Sequence, residues 1–152
     1  MKRIIDCSTA IAFIVALFLC STPALAQDDS PIKREGVKYV QIEYVTYKPD
    51  KRSEAREIIE DHFVPAGEKA NLPGPTLVIH LQTGDWNEII VWPLEEGMAN
   101  LEWIAGPSFV KWKAALDEQE GGADKANELM RRFDATIARR RFEVGHHHVG
   151  AN

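Results

Sequence analysis

The sequence predicts an α+β domain, with one antiparallel sheet and helices packed on one of its faces. Three observations carry that expectation. Residues 37–48 (VKYVQIEYVTYK) alternate strictly and are rich in β-branched and aromatic side chains. Two further apolar stretches, 76–83 and 88–94, flank the turn Gly84-Asp85-Trp86-Asn87, as in a hairpin. The intervals on either side of that hairpin carry helical rather than strand periodicity.

The chain opens with a segment that reads as a secretory signal peptide rather than as part of the fold. Lys2 and Arg3 supply the positive start, and residues 10–20 (AIAFIVALFLC) the apolar run. Ala24-Leu25-Ala26 is a small-residue cleavage site before Gln27. The run falls short of the about 20 residues that a stable bilayer span needs. Leu19 stands where a lipoprotein signal carries a small residue, which argues against an anchor at Cys20. The expected protein is therefore exported, periplasmic or secreted, with no membrane attachment after cleavage. Cys7 and Cys20 depart with residues 1–26, leaving no disulfide, thiol nucleophile or thiolate metal ligand. Residues 27–36 (QDDSPIKREG) read as a flexible polar leader, 37–145 as the folded domain and 146–152 as a His-containing tail.

Within the domain, Pro49-Asp50 ends the first strand. Ser53 then reads as the cap of a helix with Glu54 in its first turn and an apolar stripe of Ala55, Ile58, Ile59 and Phe63, and Pro65 either kinks that helix or starts its last turn. Leu72-Pro73-Gly74-Pro75 is a turn leading into the hairpin. A three-residue loop, Gly84–Trp86, pairs Gln82 with Glu88, His80 with Ile90 and Val78 with Trp92. That register gathers Ile79, Leu81, Ile89 and Val91 on one aliphatic face. A short helix over residues 98–105 is broken at Gly106-Pro107-Ser108 and followed by a second helix over 109–118. After Gly121-Gly122, apolar residues recur at helical spacing from Ala126 to Ile137. The alternation of Ala138, Arg140, Phe142 and Val144 then suggests a closing strand, although helical periodicity runs up to Ala138.

The order β-α-ββ-α-(α)-β is that of a ferredoxin-like fold. The aliphatic hairpin face is expected under the helices. The opposite face mixes Tyr39, Gln41, Glu43, Val78, His80, Gln82, Ile90 and Trp92, too apolar to meet bulk water alone. Two such sheets packed face to face would cover it and form a dimeric α/β barrel, so the expected partner is a second copy of the chain.

Composition limits the function. The 152 residues carry 18 basic and 23 acidic side chains, a formal net charge of −5. Loss of Lys2, Arg3 and Asp6 with the leader keeps the balance acidic, which disfavours nucleic acid and anionic lipid as partners. The sequence has no Gly-rich phosphate loop, G-x-S-x-G elbow, Cys-His pair or paired zinc motif. No cofactor is called for by these residues.

The opening strand and helix (VQIEYVTYKPDKRSEAREIIEDHF), the hairpin (LVIHLQTGDWNEIIVWPL) and the segment MANLEWIAGPSFVKWKAAL resemble the dimeric α/β-barrel superfamily, in its NIPSNAP-like and stress-responsive type. The likeness is one of pattern and order across most of residues 37–144. It implies the fold and a homodimer more than any activity. Related branches include cofactor-independent quinone-forming monooxygenases and haem-degrading proteins. For the haem-degrading branch Trp92 matches an expected Trp, but the first strand offers Gln41 and Glu43 where an Asn is expected. No His lies between Trp92 and Phe142.

The leading expectation is therefore an exported dimeric barrel protein that binds a small aromatic or apolar molecule. His80 is its one candidate catalytic residue, and Tyr39, Gln41, Glu43, Val78, Gln82, Ile90 and Trp92 are candidate ligand contacts. His80 beside Glu43 reads either as a general base, suited to a cofactor-independent monooxygenase of phenolic or quinol-like substrates, or as a packed histidine bonded across the strands. Haem or metal binding is a third reading, with His80 or the tail histidines as ligands. No metal site is assigned. Tyr44 and Tyr47 join the aromatic inventory. His62 reads as a helix-edge residue, Trp103 and Trp112 as core anchors, and Arg139-Arg140-Arg141 as partners for glutamates.

Overall fold

The computed structural model describes Ile32 and residues 34–150, so the expected signal peptide, both cysteines and most of the 27–36 leader lie outside the described residues. Strand β1 (Val37–Tyr47) is followed by α1 (Arg52–Ile58), a π-turn (Ile59–Phe63) and α2 (Val64–Lys69). The hairpin strands are β2 (Leu77–His80) and β3 (Glu88–Pro93). A 3-10 turn (Gly97–Glu102), α3 (Pro107–Glu120), α4 (Ala123–Thr136) and β4 (Ile137–His148) complete the chain. The sheet order is β2-β3-β1-β4 and every neighbouring pair is antiparallel. The expected ferredoxin-like α+β fold is what forms.

Local chemistry sets the boundaries. After β1, Pro49 presets its own φ and Asp50 takes a left-handed φ of 61°, closing a turn in which the Lys51 N–H reaches Lys48 O at 3.1 Å. The α1 cap position falls on Lys51, not on Ser53, which sits inside the first turn and makes no capping bond. The expected kink near Pro65 is a π-turn. Proline has no N–H to give the Asp61 carbonyl, and one extra residue is looped in so that the Val64 N–H reaches Ile59 O. Carbonyls at the end of this turn also receive side chains from the next helix: Phe63 O accepts from Trp112 Nε1 at 3.1 Å and His62 O from Gln119 at 3.2 Å. Pro107 stands at the start of α3, and Gly121 ends it with a φ of 76° while the Gly122 N–H returns to Asp117 O at 2.7 Å. Instead of a helix over residues 98–105, only the 3-10 turn forms.

The change from helix to strand at Thr136/Ile137 occurs without a glycine. The Thr136 carbonyl accepts from the Lys48 N–H at 2.8 Å, so β1 captures the chain as α4 ends. β4 then runs beyond the expected closing strand and through the histidine tract, pairing His146 with Tyr39, His147 with Lys38 and His148 with Val37. Those residues are sheet, not tail.

Two findings revise the hairpin. His80 pairs with Glu88, Val78 with Ile90 and Leu77 with Val91, a register two residues away from the expected one. A shift of two keeps every side chain on its face. Longer than three residues, the connecting loop is tied down by Asn87, whose N–H reaches Val45 O and whose Oδ1 accepts the Tyr47 N–H, each at 2.8 Å. The second revision concerns which face is covered. Val45, Tyr47, Ile90 and Ile137 pack with Ala55 of α1 and Phe133 of α4, so the helices lie on the mixed face. The aliphatic face is open instead, with Leu77 at 50 % and Ile79 at 40 % exposure.

A second cluster joins the helices to one another: Ile58, Ala66, Ala115, Leu116, Ala126 and Leu129, with Phe63 and Trp112 against it. Trp112 is the anchor expected, edge-on to Phe63 with ring centroids 5.2 Å apart. Trp103 is not, because the 3-10 turn leaves it exposed. Leu116 is fully buried at the centre of this cluster. Leu116→Ala should lower unfolding free energy by about 2–5 kcal/mol, read by urea or guanidinium titration, through lost contacts and the cavity left behind.

Candidate functional site

The covered face of the sheet carries two buried carboxylates. Glu88 opens β3 and is nearly inaccessible, so it must be satisfied within the protein. Its Oε2 accepts from the Tyr47 hydroxyl at 2.9 Å, its Oε1 lies 3.1 Å from His80 Nδ1, and Arg52 Nη2 stands 3.7 Å away. Burial, followed by the adjacent Glu88 charge and its acceptor bond, pushes the Tyr47 phenol well above its ordinary range. It remains a protonated donor at physiological pH. Glu43, one pair along β1, accepts from Trp92 Nε1 at 2.9 Å and forms an ion pair with Arg140, whose Nε lies 2.9 Å away. Arg140 also reaches Asp134, 3.6 Å away on α4.

His80 therefore has a carboxylate partner, but it is Glu88 and not Glu43. With Nδ1 protonated, the ring donates to Glu88 and presents Nε2 outward. It is 47 % exposed and, with Gln82, borders a cleft of about 540 Å³ against α1. Arg52, Arg56, Glu57, Glu60 and Asp61 supply the other wall. That setting is charged and open to water. Oxidation of a quinol-like substrate by oxygen calls for a dry aromatic cavity around the base, and His80 does not sit in one.

The remaining candidates divide. Gln41, Glu43 and Trp92 share the covered face with Phe142 and Val144 of β4. Gln41 is paired with both Trp92 and Val144. At this end the helices stop short, leaving Trp92 at 36 %, Phe142 at 51 % and Val144 at 43 % exposure. The result is a half-covered apolar shelf with an amide and a hydrogen-bonded indole at its edge. Ile90 is core, against Val45 and Tyr47. Val78 is exposed beside it on the edge of the sheet. Tyr39 lies farther along β1, bordering a second cavity of about 470 Å³ with Pro73, Leu94 and His147. The expected single cavity is thus a cleft, a shelf and a pocket.

Sequence reasoning missed Glu88, Tyr47 and Arg52 as members of these networks. The signal for Glu88 was an acid at the head of an otherwise apolar strand, beside a histidine of matching parity. Tyr44, on the open face, packs on Trp86 at 5.5 Å, and Arg139 lies 4.0 Å over the same indole. Arg140 and Arg141 pair with Glu43 and Glu143, as the arginine run suggested. His62 holds Glu120 at 2.8 Å and links the π-turn to α3. Among the described residues, no group of three or more His, Cys, Asp or Glu is placed to hold a metal, and no helix is long and apolar enough to cross a membrane.

No family model and no curated protein matches the chain at a significant level. Solved structures do. A crystal structure of a NIPSNAP family protein with unknown function from Agrobacterium tumefaciens matches with a TM-score of 0.51 at 12 % identity, covering 78 % of this chain and 95 % of that one. A second Agrobacterium tumefaciens crystal structure matches at 13 % identity and a TM-score of 0.46, covering 70 % of this chain and 90 % of that one. At such identity the likeness concerns fold alone. The chain has the ferredoxin-like α+β fold of a NIPSNAP family protein, as its strand and helix order led us to expect.

Proposed function

We propose that this is an exported, homodimeric α/β-barrel protein that binds a small, partly apolar molecule. One observation carries the reading: the sheet has apolar side chains on both faces, while the helices cover only part of one. Ile42, Leu77, Ile79, Ile89 and Val91 make the open face, which a second sheet would remove from water. The same face carries Arg141 and Glu143, opposite charges that suit pairing with an identical surface. The small molecule is assigned to the Trp92–Phe142–Val144 shelf on the other face, where Gln41 offers both a donor and an acceptor. Export rests on the leader of residues 1–26.

The dimer is tested by substituting a residue already exposed in a single subunit. Ile79→Glu should leave the fold intact and give monomer by light scattering at micromolar concentration, where the parent is dimer, because a charge desolvated at an interface costs several kcal/mol. Parent protein that is itself monomeric would remove the proposal. Binding is tested with anilinonaphthalene sulfonate as a small aromatic probe. Trp92→Ala should weaken its affinity by about tenfold or more through lost apolar contact, with the dimer retained. Equal affinity in parent and variant places the probe elsewhere and refutes the shelf. For export, N-terminal sequencing of the protein recovered outside the cytoplasm should begin at Gln27.

A further inference from the structure

Strand geometry divides the histidine tract that β4 carries into the sheet. His146 and His148 share the helix-facing side with Tyr39, while His147 faces the other way and borders the 470 Å³ pocket. The His146 and His148 rings have centroids 5.5 Å apart and planes inclined at 75°. In a chelate the imidazole nitrogen stands about 2.0–2.1 Å from the cation, which puts each ring centroid about 3.2 Å from it. Two such rings at a tetrahedral angle have centroids about 5.2 Å apart. The observed spacing lies within a few tenths of an ångström of that value, without any backbone change.

We propose that His146 and His148 form a two-imidazole site for a divalent transition cation, with water completing the shell. Imidazole donors favour Cu(II) over Ni(II) and Zn(II). The Tyr39 ring, 5.8 Å from His146, supports one side of the site. A guanidinium already occupies the other: Arg34 Nη1 lies 2.9 Å from His146 Nε2. The same Nη1 lies 3.4 Å from Nδ1, so the guanidinium rests against the ring and its positive charge opposes an incoming metal, which must displace it. Two protein ligands on an exposed edge make an open, exchangeable site rather than a closed structural one. The site shares no residue with the small-molecule shelf and stands or falls separately.

The test is titration of the full-length chain with Cu(II), followed by calorimetry and by the visible absorbance of the bound ion. Cys7 and Cys20 are present in every variant, so their contribution is common to all. His146→Ala and His148→Ala should each weaken the site by about tenfold or more, and the double variant should abolish it. His147→Ala should leave affinity unchanged, and Arg34→Ala should tighten it. All three histidines are exposed, so these changes spare the fold, which circular dichroism verifies. A flexible tract would bind through any two of its histidines. Equal loss in the three single variants therefore overturns the proposal, as does a parent chain with no saturable site.

Discussion

The buried carboxylate of Glu88 is the constraint around which the rest of the structure is arranged. An acid placed almost wholly out of water must find polar partners or remain unionised, and here the partners come from three other elements. Tyr47 ends β1, His80 ends β2, Glu88 begins β3 and Arg52 opens α1. One side chain thus fastens the hairpin to the central strand and to the helix that crosses it. Glu43 repeats the device farther along, drawing Trp92 of β3 and Arg140 of β4 to the same strand. Ion pairs of this kind add little net stability over a well-packed apolar substitute, but losing one partner strands the other. Their effect is to allow one register and penalise its neighbours.

This explains what could and could not be read from the sequence. Alternation correctly grouped the residues of each sheet face, because side-chain direction depends only on parity. Register depends on pairing, and the expected one would have set Gln82 against Glu88 and left that acid without His80. Parity also says nothing about which face the helices cover. With Gln41, Glu43, His80 and Gln82 among its members, the mixed face reads as the one that meets a second sheet, and the purely aliphatic face as the one under the helices. Hydrogen bonding reverses that choice, since a satisfied carboxylate can be buried while Leu77 and Ile79 remain exposed. The local turns were easier to read: Pro49-Asp50, Pro107 and Gly121 each act where the backbone requires them.

The candidate site was legible to a similar degree. Trp92, Gln41 and Glu43 do lie together, since they stand opposite or alternate on paired strands. His80 was rightly linked to an acid, though to the wrong one. The tract at residues 146–148 reads as a tail in the sequence because three identical polar residues carry no periodicity. Only the pairing of β4 with the start of β1 shows that its members face different ways.

The π-turn at Ile59–Phe63 sets the angular phase between the two halves of that helical segment. Before the turn Ala55 faces the sheet; after it Ala66 faces the interhelical cluster, and both are fully buried. If the turn became ordinary α-helix at the same length, everything downstream would rotate by about 100°, the step of one residue. Ala66 would then be turned out of the interhelical cluster. The irregular turn thus acts as a phase adjuster between two cores: it absorbs one residue, so a single deletion there keeps both faces in phase where the same deletion in a regular turn would not.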